Sequence, residues 1–570
     1  MTERPEWEQK IEEAAGKLNL KWYQNEDKYS DGDVENDIIK YIAQNEPENY
    51  TGVITEHFSW PVFYHLTNIR KNLLNWYPFE EQASLLEVGC GCGALTALFC
   101  DKCRKVTAVE LSQRRATATQ LRCREKDNLE VVVGDLNDIE FEEKFDYITL
   151  IGVLEYQGAF TDSSHPYKDF LIKIKSLLKE DGKLLIAIEN KCGAKYWCGA
   201  AEDHSGIPFD GLNQYQFSGG KVRTFAKDEL VDLLEKSGYK NSFFYYPLPD
   251  YKLPTVVYSE EYIPRNEYME NMVPYYIPSD KTLVIEEMGL YKDIIQNHVF
   301  DFMANSFLVE CKASASSKEE RVIFALLNSH RKKKYRTGTL IENTGRAAKF
   351  ALEQNGDADQ HLAAVLNNTN RMESMGLKTL PHKMEGNRVL TDFTELPTLE
   401  EVLRDAAVKK DKETIWKWWD RLWEQIEMVS GTVEEKDCIM YELELDEYRE
   451  ENGYGRILQK GYLDMIPRNC FVKDEELLWF DQEWVLDHLP SKFILLRAML
   501  ITYDRVEELA DLIPREELLE RYGLYDCLKV VDSFTQLFEG TIQEINRLDD
   551  FMEKSGDGIY AENVRKLFLK

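Results

Sequence analysis

Five short apolar runs punctuate the region 84–190, one opening the segment 84–97 and the others at residues 105–112, 129–136, 145–156 and 183–190. They are rich in Val, Ile and Leu, and amphipathic stretches separate them. Unbroken runs of this length predict strands buried on both faces, and the amphipathic spacers predict helices covering a parallel sheet. Residues 1–80 pattern as amphipathic helices that lid or shape a site. Past Tyr258 comes a Tyr- and Pro-rich connector over 261–320, expected to be extended over 262–280 and then helical to about 306. The small polar stretch 312–320 is the boundary candidate. Residues 321–329 and 335–343 predict a hairpin, 346–352 a third strand, and 388–403 a strand, hinge and helix. The Trp-rich stretch 414–426 predicts an amphipathic core helix, and 491–570 an acidic helical segment.

The tip of the first run carries the most specific chemistry. Glu87 is followed by Gly89, Gly91 and Gly93 at alternate positions. Glycines there let backbone approach a ligand closely, since no Cβ blocks contact or forbids positive φ. The following helix is expected to offer free N–H groups to an anion. Glu110 ends the second run, where a carboxylate can accept both hydroxyls of a ribose. Asp135 ends the third, where it can accept a hydrogen bond from an adenine amino group. The fourth run passes into a turn at Gly152. A pyrophosphate-binding loop has Gly-x-Gly-x-x-Gly, whereas here Gly93 comes one residue early and Ala94 takes the third place.

Over about residues 50–260 this order of signals resembles the class I S-adenosylmethionine (SAM) methyltransferases. The resemblance implies an α/β fold with a Rossmann-like seven-stranded sheet, its antiparallel end expected within 241–258. It implies that Glu87 holds the methionine amino group, Glu110 the ribose, and Asp135 with Leu136 the adenine. Gly152, Leu154 and Glu155 would wall the sulfonium. The acceptor wall is expected in 189–215, where Tyr196, Trp197 and Tyr215 mix with Lys191, Glu202, Asp203 and His204. His204 is a candidate general base oriented by Asp203, or simply a loop-stabilising histidine.

A second constellation lies at 464–484. Asp464 and Asn469 precede two short predicted strands around a tight turn, and Asp481 follows them. Such a turn would bring the three together, enough to bind a divalent cation and position a hydroxyl. The Asp-x-x-Pro-x-Asn and Phe-Asp-x-Glu patterns resemble the aminoglycoside and choline kinases. That resemblance implies an α+β, protein-kinase-like domain using ATP and Mg²⁺, with Asp464 as catalytic base, Asn469 and Asp481 on magnesium, and Lys349 on the phosphates. No glycine-rich loop lies between the first two strands, Tyr462 replaces the usual histidine, and Asp359 is the nearest acid on the helix after Lys349. The expected domains are 1–80, 81–260, 261–320, 321–490 and 491–570. This order is similar to bifunctional methyltransferase-kinases that cap bacterial surface polysaccharides, which implies a glycan or glycan-phosphate acceptor. A small-molecule O- or N-methyltransferase with a non-catalytic second domain is the alternative.

Composition narrows the partners. The 570 residues exceed one core, and the formal charge of −32 disfavours nucleic acid and anionic lipid. The basic tract 331–336 is the exception, a solvated hairpin tip or a phosphate contact. No run is long enough for a transmembrane segment, and the polar N-terminus resembles no secretory or mitochondrial signal, so a cytoplasmic protein is expected. Eleven scattered cysteines suit reduced thiols. Cys100 and Cys103 lack the second pair that a zinc site needs. Oligomeric state is not legible.

Overall fold

The computed structural model describes residues 5–25, 32–161, 163–264, 282–285, 287–314, 319–353, 356–445 and 454–544. The chain divides into two compact units, the first over residues 1–330 with 545–570, the second over 331–544.

The first unit is built on β1 (Asn19–Trp22), β2 (Ser84–Val88), β3 (Lys105–Glu110), β4 (Leu129–Gly134), β5 (Phe145–Ile151), β6 (Leu178–Glu189), β7 (Asn241–Leu248), β8 (Val256–Ser259), β9 (Ser306–Lys312) and β10 (Val322–Leu327). Their order across the sheet is β1-β4-β3-β2-β5-β6-β9-β7-β8-β10. Pairing is parallel from β1 to β6 and antiparallel from β6 onward. All of β2 is buried, Glu87 included, as a strand between helical layers should be. The helices Gln113–Arg122 and Pro166–Leu177 are among those that cover the sheet. Ser112 caps the first of these by accepting a hydrogen bond from the Arg115 amide at 3.4 Å.

Among the described residues the expected seven strands become ten. The antiparallel end does not lie within 241–258 alone, because β9 inserts between β6 and β7 from the stretch read as connector. Glu310 masks that strand in the sequence. Inside the sheet it is buried against Lys183 at 3.2 Å and bonded to the Tyr77 hydroxyl. Residues 287–303 do hold helices, Glu287–Gln296 and Phe300–Met303. The expected extended stretch falls largely on 265–281, and the polar boundary partly on 315–318, outside the described residues. The described part of the N-terminal region is mainly helical, and β1 adds a parallel edge strand to β4. Glu35 anchors this region through Arg115 Nε at 2.6 Å.

The second unit holds β11 (Thr337–Glu342), β12 (Arg346–Ala351), β13 (Lys378–Thr379), β14 (Lys383–Glu385), β15 (Arg388–Asp392), β16 (Thr432–Val433), β17 (Ile457–Tyr462), β18 (Cys470–Lys473), β19 (Glu476–Trp479) and β20 (Val485–Pro490). An antiparallel series β11-β12-β15-β14 precedes two three-stranded sheets, β13-β19-β18 and β16-β17-β20. Its boundaries differ from expectation at both ends. Residues 322–327 pair with β8 in the first unit, so the division falls at 330/331 rather than 320. The helices Ser491–Arg505 and Tyr525–Ile542 share one core with Trp419 and Trp479, so no separate domain starts at 491. Residues 545–570 of the expected C-terminal segment lie outside the described residues. Among the described residues no helix is long and apolar enough to cross a membrane.

Candidate active site

The C-terminal ends of β2 to β6 open onto a cavity of about 640 Å³ in the first unit. Strand tips in open parallel sheets are where ligands bind, because adjacent loops part there. Gly89, Gly91, Glu110, Asp135, Leu136, Gly152 and Glu155 all line it. Gly91 has φ +57°, and a Cβ built on it would meet nothing within 4 Å. Its N–H donates to Glu110 Oε2 at 2.8 Å, which ties the loop to the second strand tip. Burial raises the Glu110 carboxyl above its ordinary range, opposed by Arg115 and by backbone N–H groups. Asp135 is half-buried and accepts a hydrogen bond from the Asn137 amide at 2.8 Å.

Three residues expected at the cofactor lie elsewhere. Glu87 points beneath the loop and accepts a 2.6 Å hydrogen bond from the Thr96 hydroxyl. Burial pushes its carboxyl up to about 8. Gly93 packs on the helix Gln113–Arg122, where a Cβ would stand 3.0 Å from the Thr119 Cα. Leu154 is fully buried in the core. The helix after the loop starts only at Thr96, so turns rather than helical N–H groups face the cavity.

The other end of the cavity is an ion cluster. His204 Nδ1 lies 3.2 Å from Glu202 Oε1, and its Nε2 lies 3.5 Å from Glu155 Oε1. Burial alone would lower the His204 pKa, but Glu155, Glu202 and Glu189 hold it well above the usual histidine value. With both ring nitrogens facing carboxylates, His204 is placed to keep a proton rather than to take one. Asp203 does not orient it. That carboxylate instead binds Lys195 at 2.8 Å, Lys252 at 2.6 Å and the Tyr196 hydroxyl at 2.5 Å. Burial opposes ionisation of Asp203, yet the two lysines hold it far below the usual range. Glu189, at the tip of β6, pairs with Lys252.

Most of the expected acceptor wall is scaffold. Tyr196 and Tyr215 are buried, Trp197 is exposed, and Lys191 binds Glu229 at 2.7 Å. The wall comes instead from residues the sequence reading did not single out. Trp60 and Tyr64 stack at 5.8 Å, Arg70 sits over the Tyr64 ring at 4.3 Å, and Tyr156 meets His204 edge-on at 5.2 Å. Tyr251 and Lys252 enter from the bend after β7. Only Glu189 had a legible signal, an acid at a parallel strand tip like Glu110.

The second unit brings its four expected residues into one neighbourhood. The β18–β19 hairpin returns the chain so that Asp464 Oδ2 accepts the amides of Glu483 at 2.9 Å and Trp484 at 2.8 Å. Asn469 donates to the Asp464 carbonyl at 3.2 Å. Lys349 pairs with Asp481 and, at 2.9 Å, with Glu483, so Asp359 is not its partner. Glu483 also meets His361 and Arg331, each at 2.6 Å. Burial pushes the Asp464 carboxyl up to about 6, against the pull of Arg497. The basic tract is no free hairpin tip, since Arg336 pairs with Glu353 and Glu544. In the first unit Cys100 and Cys103 are free thiols with raised pKa values, the Cys103 thiol pushed by burial up to about 12.

Residues 86–186 match the family model described as Methyltransferase domain. An uncharacterised methyltransferase of Staphylococcus carnosus is 35% identical over 116 residues, covering 20% of this chain and 51% of that protein. The malonyl-[acyl-carrier protein] O-methyltransferase of Priestia megaterium is 34% identical over 79 residues, covering 14% of this chain and 28% of that protein. The solved structure of the N-methyltransferase NodS from Bradyrhizobium japonicum is 18% identical, covers 29% of this chain and 79% of that one, and gives a TM-score of 0.22. The chain therefore spans about half the length of the first relative and less of the second. Residues 86–186, the part similar to a methyltransferase domain, supply the glycine loop and several of the strand tips that line the cavity.

Proposed function

We propose that the first unit is a SAM-dependent methyltransferase acting on a hydroxyl of a glycan or related small polyol. The supporting observation is the cavity itself, which runs from the open backbone at Gly91 to the carboxylates of Glu155 and Glu189. The glycine loop fits SAM because glycine at alternate positions, with an open Gly91, admits adenosine and methionine, while Glu110 and Asp135 offer acceptors to ribose and adenine. Bound there, SAM supplies an electrophilic methyl group on a sulfonium. The chain holds the acceptor in line and excludes water, and orientation of this kind lowers the barrier by several kcal/mol at roughly 3 Å approach. The rings of Trp60, Tyr64 and Tyr156 suit the apolar faces of a sugar, and the carboxylates accept its hydroxyl protons. His204 and Lys252 offset much of the carboxylate charge at this end, and the unbonded Glu155 oxygens are acceptors that a hydroxyl can satisfy and a phosphate cannot.

The test is calorimetric titration of the full chain with SAM, followed by a screen with radiolabelled methyl donor. Sugars, sugar phosphates, polyprenyl-linked glycans and small amines form its arms. Label in a neutral sugar supports the reading, label confined to amines or phosphates overturns the acceptor class, and absence of SAM binding overturns the whole.

A second reading concerns the second unit, where Lys349, Asp481 and Asp464 converge in the order that a kinase-like domain uses. On that reading it binds ATP with Mg²⁺ and phosphorylates the same acceptor, with Asn469 and Asp481 as the cation ligands. ATP·Mg²⁺ binding lost on Asp481→Ala, with phosphate incorporated into a glycan, supports it. No incorporation into any glycan reduces the unit to a non-catalytic lobe.

A further inference from the structure

We propose that Glu155, Glu189 and His204 form a site for one exchangeable divalent cation at the acceptor end of the cavity. One ligand atom from each lies within 4.8 Å of the other two. Ligands held about 2.1 Å from a cation stand roughly 3 to 4 Å apart, so small side-chain rotations close the set.

An acidic cluster alone is weak evidence for a cation. Two further observations distinguish this one. First, Glu155 is 1% exposed and Glu189 0%, yet neither oxygen of Glu155 nor Oε2 of Glu189 has a hydrogen-bond partner. Buried acceptors are nearly always satisfied, and leaving them bare costs free energy unless something fills the gap. Neighbouring Glu202 is by contrast saturated, accepting the amides of His204 at 2.8 Å and Ser205 at 2.7 Å. Second, Glu202 also stands behind His204, bonded to Nδ1 while Nε2 faces Glu155. A carboxylate on the far nitrogen is how metal-binding histidines are aimed and made more basic. Lys252 engages Glu189 through Oε1, which leaves Oε2 for the cation.

Two carboxylate oxygens and one imidazole nitrogen suit a first-row divalent ion such as Mn²⁺. Binding releases the His204 Nε2 proton to solvent, and the remaining coordination positions face the cavity. There the cation would draw an acceptor oxygen and favour its ionised form. Only that last role rests on the proposed methyl transfer; cation binding is measured without SAM or acceptor.

The test uses the full chain, stripped with EDTA and titrated with Mn²⁺, with free Mn²⁺ read by electron paramagnetic resonance. One bound equivalent is expected, weakened at least tenfold in Glu155→Gln and in His204→Gln. Glu202→Gln, a positioning change, should weaken it about 10- to 100-fold. Mn²⁺ should also raise the melting temperature of the wild type but not of Glu155→Gln, a readout that survives if one variant folds poorly. Asp481→Ala is carried alongside. If that variant loses the equivalent and Glu155→Gln keeps it, the cation sits in the second unit and the proposal fails. It fails equally if the wild type binds neither Mn²⁺, Zn²⁺ nor Mg²⁺. Failure to bind SAM leaves a positive Mn²⁺ result standing.

Discussion

The two units gather buried carboxylates in opposite ways. In the second unit Glu483 meets Lys349, Arg331 and His361, and Asp464 is held by two backbone amides. Burial alone would raise the Glu483 carboxyl, yet these cations hold it well below the usual range. In the first unit Glu155 is equally buried but keeps both oxygens without a hydrogen bond, and burial raises its carboxyl. A self-neutralised cluster contributes to its own fold. A cluster with bare acceptors is poised for something the chain itself does not supply. Residue type is the same in both places; what differs is how far the chain itself satisfies the buried group.

Substitutions can break this contrast. The largest expected effect is Lys349→Met, which strips Glu483 and Asp481 of their shared cation and should cost about 3 to 5 kcal/mol in urea unfolding. An unchanged midpoint would show that the second cluster is not self-neutralised. Gly91→Arg comes next, with at least a hundredfold loss of SAM affinity by calorimetry, about 2.7 kcal/mol. A Cβ there meets nothing within 4 Å, and the strain of a side chain at φ +57°, about 1 to 2 kcal/mol, is too small to unfold the unit, so its far-UV spectrum should match the wild type. Undiminished SAM binding would remove the cavity from the reaction.

Glu87 probes a pH effect on stability. Its folded-state pKa of about 8 stands above the ordinary value of 4.5. Between those values the folded chain holds a proton that the unfolded chain has released. Its contribution is therefore complete below the lower value and drains away as pH rises through the upper one. Glu87→Gln should melt higher than the wild type at pH 9, with the gap closing toward pH 5, and a gap independent of pH contradicts the assignment. The smallest effect is Glu155→Gln without added metal. Loss of the counter-charge that faces His204 at 3.5 Å is offset by removing buried oxygens that lack hydrogen bonds, so stability should change by less than about 1 kcal/mol, and a loss as large as that of Lys349→Met would erase the contrast.

The parallel strands were legible because burial on both faces leaves an unbroken apolar run, as in 184–188. Strand β9 was not, since Glu310 interrupts its run and only the Tyr77 and Lys183 contacts explain how a charge sits there. The same limit hid Trp60, Tyr64 and Tyr251, which are far apart in the chain and look like ordinary core aromatics. For His204 the residue was visible but the partner was not. Adjacency suggested Asp203, whereas the loop turns it toward Glu202 and Glu155.

The amino-acid order alone determined the strand series, the glycine bend and the acids at the strand tips, because each is a local consequence of side-chain pattern and backbone freedom. Only the tertiary structure decided which of those acids face the cavity and which oxygens stay bare. Hydrogen bonding and ion pairing join residues distant in the chain, and one-dimensional spacing carries no record of which distant cation arrives.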